Sequence, residues 1–212
     1  MSKKNINKMK LLATFSLATL IFLVGIMFGN FISNKKIDMI MGLEQDLKTE
    51  TYAAETQYML LTQEPCRDVD TSPLTEELYQ IGSKIAYMEN QLGATNKKVI
   101  ELKEYYSLLE IKHWMLLKKI QSECNQDFNL ILYFYSNNGD CLSCEQQGFI
   151  LNYIKKKHEN TKIYSFDINN KNSALSTLKL LYNITGTPSL VINDRPFSGF
   201  KETKDIEKEL MQ

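Results

Sequence analysis

Net charge is the first thing this chain lacks. Its 212 residues carry 25 Lys and Arg against 25 Asp and Glu. No basic excess is available to hold a phosphate backbone, so nucleic-acid binding gets no electrostatic support. Histidine is nearly absent, with two residues, and cysteine stops at four. A structural zinc site needs four ligands at close spacing. Cys66 and Cys124 stand isolated, and His113 and His158 keep no ligand spacing to any cysteine. No metal site is expected from such a set.

Charge is also missing locally. Leu11 to Ser33 holds no charged side chain and is rich in Leu, Ile, Phe, Val, Ala and Met. Such a run is long enough to cross a hydrocarbon layer of ~30 Å as a helix. Lys3, Lys4, Lys8 and Lys10 precede it, while Asp38, Glu44 and Asp46 soon dilute Lys35 and Lys36 on the other side. The lysine bias predicts an N-terminus in the cytoplasm and the remainder outside. A cleaved signal peptide is the competing reading. The run exceeds the ~7–15 residues of a signal h-region, and no clear small-x-small cleavage site follows. The expected organisation is therefore a cytoplasmic N-terminus at 1–10 and a single-pass anchor in the cell membrane at 11–33.

Residues 34–125 read as helical. Leu74, Leu78, Ile81, Ile85, Met88 and Leu92 keep a 3–4 spacing, and Gly93 marks a stop. Val99, Leu102, Tyr106, Leu109, His113, Leu116 and Ile120 repeat it after a short link, which predicts an antiparallel helical hairpin. An earlier helix from about Ile37 to Thr62 carries a weaker seam at Ile40, Leu47, Ala54 and Leu61. Three such helices form a bundle within one chain or a coiled coil between chains. Either serves as a stalk or docking surface, and no catalytic signature falls in it. His113, on the apolar seam beside Trp114, reads as a packed core residue.

Chemistry enters with Cys141-Leu142-Ser143-Cys144, directly after the apolar run Leu130 to Tyr135. Some forty residues later comes Thr185-Gly186-Thr187-Pro188, leading into Ser189-Leu190-Val191-Ile192. A CxxC opening a helix places its first thiol where unpaired backbone N–H groups and the helix dipole stabilise a thiolate. That thiolate is the nucleophile of disulfide exchange. Around the motif the pattern predicts strands at Leu130–Ser136, Lys162–Asp167, Ser189–Asn193 and Arg195–Phe200. Helices are expected from Cys144 to about Lys157, at Ala174–Tyr182 and at Thr203–Met211.

Strand, CxxC helix and downstream Thr-Pro-strand together resemble the thioredoxin superfamily, over roughly Phe128 to Gln212. The resemblance implies an α/β thioredoxin-like fold of order βαβαββα at 126–212, preceded here by the transmembrane helix and an α-helical bundle or coiled-coil stalk. It implies Cys141 as the exposed nucleophile and Cys144 as the buried resolving thiol. Thr187 would pair its backbone with an extended substrate, and Pro188, expected cis, would shape that surface. The cofactor is then only the redox-active Cys141–Cys144 disulfide. The implied activity is a membrane-tethered, Dsb-like thiol–disulfide oxidoreductase that forms, isomerises or reduces disulfides in exported proteins. Its expected partners are thiols or disulfides of exported proteins and a membrane redox partner. That partner is a quinone-linked oxidase of the DsbB or vitamin-K-epoxide-reductase type, or a reducing transporter.

The departures from the family bear on direction. Leu142-Ser143 is neither the Gly-Pro of reducing members nor the Pro-His or Gly-His of oxidising ones, and Asp140, not Trp, precedes Cys141. A carboxylate there opposes the thiolate, which points to an intermediate potential. The alternative reading is a non-catalytic thioredoxin-fold adaptor whose Cys141–Cys144 bond is structural.

Cys66 and Cys124 follow the first and third stalk helices. In an up-down-up bundle those two helix ends lie side by side, which makes the pair a candidate structural disulfide. A loop of roughly 60 residues would contribute on the order of 3–4 kcal/mol in the chain-entropy model. An auxiliary redox pair feeding Cys141/Cys144, and free or interchain thiols, are the other readings.

Overall fold

The structure, a computed structural model, describes residues 8–66 and 72–211. The chain divides into two compact units, one ending at Asp46 and the other beginning at Leu47. The chain is mostly helical, with a long apolar N-terminal helix and a small mixed sheet accompanied by helices.

Helix α1 runs Lys8–Gln63. Among the described residues it is the one helix long and apolar enough to cross a membrane. Its apolar part, Leu11 to Ser33, is exposed throughout and measures about 34 Å at 1.5 Å per residue. The first part of the expected N-terminal segment, up to residue 7, lies outside the described residues. The helix ends two residues before Pro65, whose ring disfavours helical backbone at the residue before it.

In the second unit, α2 (Ser72–Leu92) and α3 (Lys97–Cys124) form the hairpin. Gly93 takes φ +90°, and its N–H donates to the Glu89 carbonyl at 2.8 Å, closing α2. Asn96 caps α3, its side chain accepting the Lys98 N–H at 3.0 Å. Cross-links between helices reveal their directions. Glu55 meets Lys112 and the Thr62 carbonyl meets Lys119 at an offset of 57 residues, so this part of α1 runs parallel to α3. Glu50 meets Lys84 while Gln57 meets Glu77, so α2 runs the other way. The bundle is up-down-up within one chain. Leu47, Ile81, Met88, Val99 and Leu116 are buried along its seams. Gly82 permits the closest approach, because a Cβ there would sit 2.7 Å from the Tyr106 hydroxyl.

The remaining elements are β1 (Asn129–Tyr135), α4 (Cys144–Lys157), β2 (Thr161–Asp167), α5 (Ser173–Leu181), β3 (Ser189–Ile192), β4 (Arg195–Ser198) and α6 (Thr203–Leu210). The order is βαβαββα. Strands lie in the order β2-β1-β3-β4, with β1–β2 parallel and the other two pairs antiparallel. β1 is central and apolar on both faces, so it reads as a continuous run instead of an alternation. Ile131, Tyr133, Leu190 and Ile192 pack with Leu151 and Ile154 of α4 and Ile206 of α6. Leu132, Phe134, Tyr164 and Phe166 point the other way, and the Phe134 and Phe166 rings lie 5.7 Å apart.

The expected division at 125/126 falls inside this unit, because α3 packs against β2 and α5. The Glu110 carboxylate accepts the Ser165 N–H of edge strand β2 at 3.1 Å. His113 Nδ1 lies 2.8 Å from the Tyr164 hydroxyl, and its Nε2 lies 3.2 Å from Thr75. Asn170 and Asn172 both donate to Ser107. Lys118 reaches Asp194 in the β3–β4 turn at 2.7 Å. Helix α3 thus covers an edge that would otherwise offer unpaired backbone groups. In this unit the helical region is a wall of the sheet domain.

Candidate functional site

β1 delivers the chain to the site. After Tyr135 it turns through a loop containing Gly139 at φ +78° and enters α4 at Cys144. Ser136 holds the loop, accepting the Asn138 N–H at 3.3 Å and the Asn169 amide at 2.8 Å. Cys141 and Cys144 are joined by a disulfide with Cα atoms 5.4 Å apart. Cys141 is half-buried, whereas Cys144 is 7 % exposed. Leu142 between them is fully exposed.

Helix α4 sets the electrostatics. Ser143 gives its first turn no side-chain cap, and the Cys144 N–H donates to the Cys141 carbonyl at 3.4 Å. Lys155, Lys156 and Lys157 sit in its last turn, and Glu145 in its first. The dipole favours an anion at Cys141 on reduction. Asp140 and Glu145, both exposed, work against it.

Two side chains not singled out from the sequence hold the site. The Tyr133 hydroxyl donates to the Cys144 carbonyl at 2.6 Å. Burial pushes its pKa up to about 12, so it remains a donor. Gln147 is fully buried and ties α4 to the segment after β4: its Nε2 donates to the Lys201 carbonyl at 3.2 Å, and its Oε1 accepts the Lys201 N–H at 2.8 Å. The only signals available in sequence were a hydroxyl on the strand before the motif and an amide one turn after it.

Thr187 and Pro188 enter β3 through a cis peptide bond. Ser189 pairs with Phe134, so this entry lies at the C-terminal end of β1, the end from which the CxxC loop departs. Thr187 is half-buried and Pro188 buried. The topology therefore brings Cys141, Cys144, Thr187 and Pro188 to one end of the sheet.

Cys66 and Cys124 form the second disulfide, with Cα atoms 5.1 Å apart. It joins the C-terminal ends of α1 and α3, and Cys66 is exposed. The end of α3 lies by the start of β1, where Gln121 donates to the Phe128 carbonyl at 3.2 Å. Seven residues of β1, about 23 Å at 3.3 Å each, separate that end from the CxxC loop. A relay between the two bonds within one chain would have to cross that length. His158 stands at the C-terminus of α4, 3.6 Å from Glu207, at the end of that helix opposite Cys144.

No protein-family model matches the chain, and no curated protein matches it either. A half-exposed sulfur at a helix N-terminus, bonded to a buried sulfur one turn on, can open by attack at the outer sulfur.

Proposed function

We propose that this chain is a membrane-tethered thiol–disulfide oxidoreductase with a thioredoxin-like domain outside the membrane. The observation that carries the reading is the unequal exposure of the Cys141–Cys144 pair at the N-terminus of α4. In the reducing direction the Cys141 thiolate attacks a substrate disulfide. One substrate sulfur leaves as a thiolate and a mixed disulfide forms. Cys144 then attacks Cys141 Sγ, releasing the second substrate thiolate and closing the Cys141–Cys144 bond. Oxidation is the same sequence reversed, with two electrons passing from substrate thiols to the pair. Thr187 and Pro188, at the same end of the sheet, line the surface along which an extended substrate segment would lie. Helix α1 supplies the anchor, with its N-terminus in the cytoplasm. Exported proteins are then the substrates, and a membrane oxidase or reducing transporter resets the pair.

Two measurements test this. The potential of the Cys141/Cys144 pair against glutathione assigns direction: a value near about −120 mV marks an oxidase, one near about −270 mV a reductase. Cys144→Ser should accumulate mixed disulfides through Cys141, and Cys141→Ser should form none. An adaptor with a structural bond would show no such asymmetry. Absence of mixed disulfides in Cys144→Ser, with function intact in Cys141→Ser, would refute the proposal.

A further inference from the structure

The first turn of α4 buries two side chains, Cys144 and, three residues on, Gln147. That spacing puts both on one face of the helix. The Gln147 amide spends its two ends on a single residue. Its Nε2 donates to the Lys201 carbonyl at 3.2 Å, and its Oε1 accepts the Lys201 N–H at 2.8 Å. Two residues before Lys201, the Gly199 N–H donates to the Pro188 carbonyl at 2.9 Å. The Ser189 hydroxyl closes the same loop by donating to the Gly186 carbonyl at 2.7 Å. The loop that holds Thr187 and Pro188 is thus fastened to Gly199, and the chain two residues on is fastened to α4.

Among the described residues, α4 and β3 meet otherwise through apolar side chains: Leu151 and Ile154 pack with Leu190 and Ile192. Such packing holds a helix against a sheet but is non-directional. A pair of hydrogen bonds from one planar amide fixes orientation as well as distance. The Tyr133 hydroxyl also grips α4, at the Cys144 carbonyl, but it ties the helix to β1 and not to the Pro188 loop. Gln147 is therefore the directional link between the helix that carries the pair and the loop beside it.

We propose that Gln147 is a positioning residue for exchange. Through Lys201 and Gly199 it sets where the Thr187–Pro188 surface lies relative to Cys141, and so makes the site selective for extended polypeptide over small disulfides. This rests on the oxidoreductase reading above. A polypeptide lying on that surface reaches the sulfur only if loop and helix keep their separation, whereas a small disulfide touches the sulfur alone.

The test uses the full chain in detergent, carrying Cys144→Ser and with Cys66–Cys124 intact. Two reagents offer Cys141 the same bond: an uncharged peptide whose one central cysteine is joined to thionitrobenzoate, and N-acetylcysteine amide joined likewise. The Cys141 thiolate attacks the cysteine sulfur, and thionitrobenzoate leaves as a coloured thiolate with the electron pair of the broken bond. This parent should react about tenfold faster with the peptide than with the small reagent. Gln147→Met, similar in size but without either hydrogen bond, should bring the two rates together while changing the small reagent's rate by no more than about twofold. Gln147→Glu keeps an acceptor for the Lys201 N–H and should fall between them. Trp114 emission confirms that each variant is measured folded, since an unfolded chain would also lose the preference. A preference unchanged in both variants, or both reagents slowed alike, would overturn the positioning role and leave the oxidoreductase reading standing. So would a parent that reacts with both reagents at one rate. A parent that attacks neither would overturn both.

Discussion

Replacing Cys66 and Cys124 together by alanine should cost the second unit about 4 kcal/mol, a figure that follows from the loop the bond closes. The two cysteines are 58 residues apart. In the chain-entropy relation that loop removes about 14 cal/mol/K from the unfolded chain, or about 4 kcal/mol at 25 °C. The folded geometry does not depend on the bond. Lys119 still donates to the Thr62 carbonyl, Lys112 still pairs with Glu55, and Leu47 and Ala54 stay in the seam. The loss should therefore appear through the unfolded chain. Trp114, the only tryptophan, provides the signal. It is buried on α3 and sits edge-on to Tyr182 at 6.2 Å, so its emission reports separation of α3 from the sheet domain. With a urea slope of about 2 kcal/mol/M, the midpoint should fall by about 2 M. Reducing the wild type should lower the midpoint further, because the three-residue Cys141–Cys144 loop adds about 1.6 kcal/mol in the same relation. An unchanged midpoint in the double variant would rule out the loop-entropy contribution, because a constraint on a loop of this length cannot vanish from an expanded unfolded chain.

Other outcomes follow from single residues. Glu110 has a folded-state pKa of about 8, above its usual 4.5, so the folded form binds the extra proton and stability should fall as pH rises between those values; Glu110→Gln should remove that part of the slope in urea titrations at pH 5, 7 and 9. His113 behaves oppositely. Burial lowers its pKa to about 4, so stability should be lost as pH falls from 6.5 toward 4, and His113→Gln should flatten the acid limb of the same titration. Tyr133→Phe removes the hydroxyl bonded to the Cys144 carbonyl and should cost about 1 kcal/mol by urea midpoint, while Cys144→Ser,Tyr133→Phe still traps mixed disulfides. A reporter fused after Gln212 should be active only if it functions outside the membrane; activity of a cytoplasm-only reporter would overturn the proposed topology.

Local patterns were legible wherever one chain segment carried the whole signal. The sequence segment from Cys144 to Lys157 is the observed α4, bounded by an opening cysteine and three terminal lysines, although Phe149 and Tyr153 face outward and Leu151 and Ile154 are the buried ones. β1 and β2 each begin one residue earlier than the apolar runs imply, at Asn129 and Thr161. Strand ends are set by pairing: Asn129 faces Thr161 across the parallel ladder, and neither residue is apolar. β4 ends at Ser198, ahead of the expected Phe200, because Gly199 turns at φ +78° and donates to the Pro188 carbonyl.

What the sequence determined by itself was periodicity and punctuation: an uncharged run long enough to cross a membrane, two seams separated by a Gly-containing link, and a CxxC at the junction of a strand and a helix. Each is a local property, fixed by the spacing of side chains along one segment. Tertiary structure alone decided what lies far apart in sequence. It put α3 against the edge of β2, gave Glu110 Oε1 a backbone N–H and left its Oε2 without a partner among the described residues, and tied Gln147 to Lys201. These contacts join residues about 50 or more apart, and their cost or benefit comes from burial. A chain read one segment at a time carries no record of which polar groups lose their water.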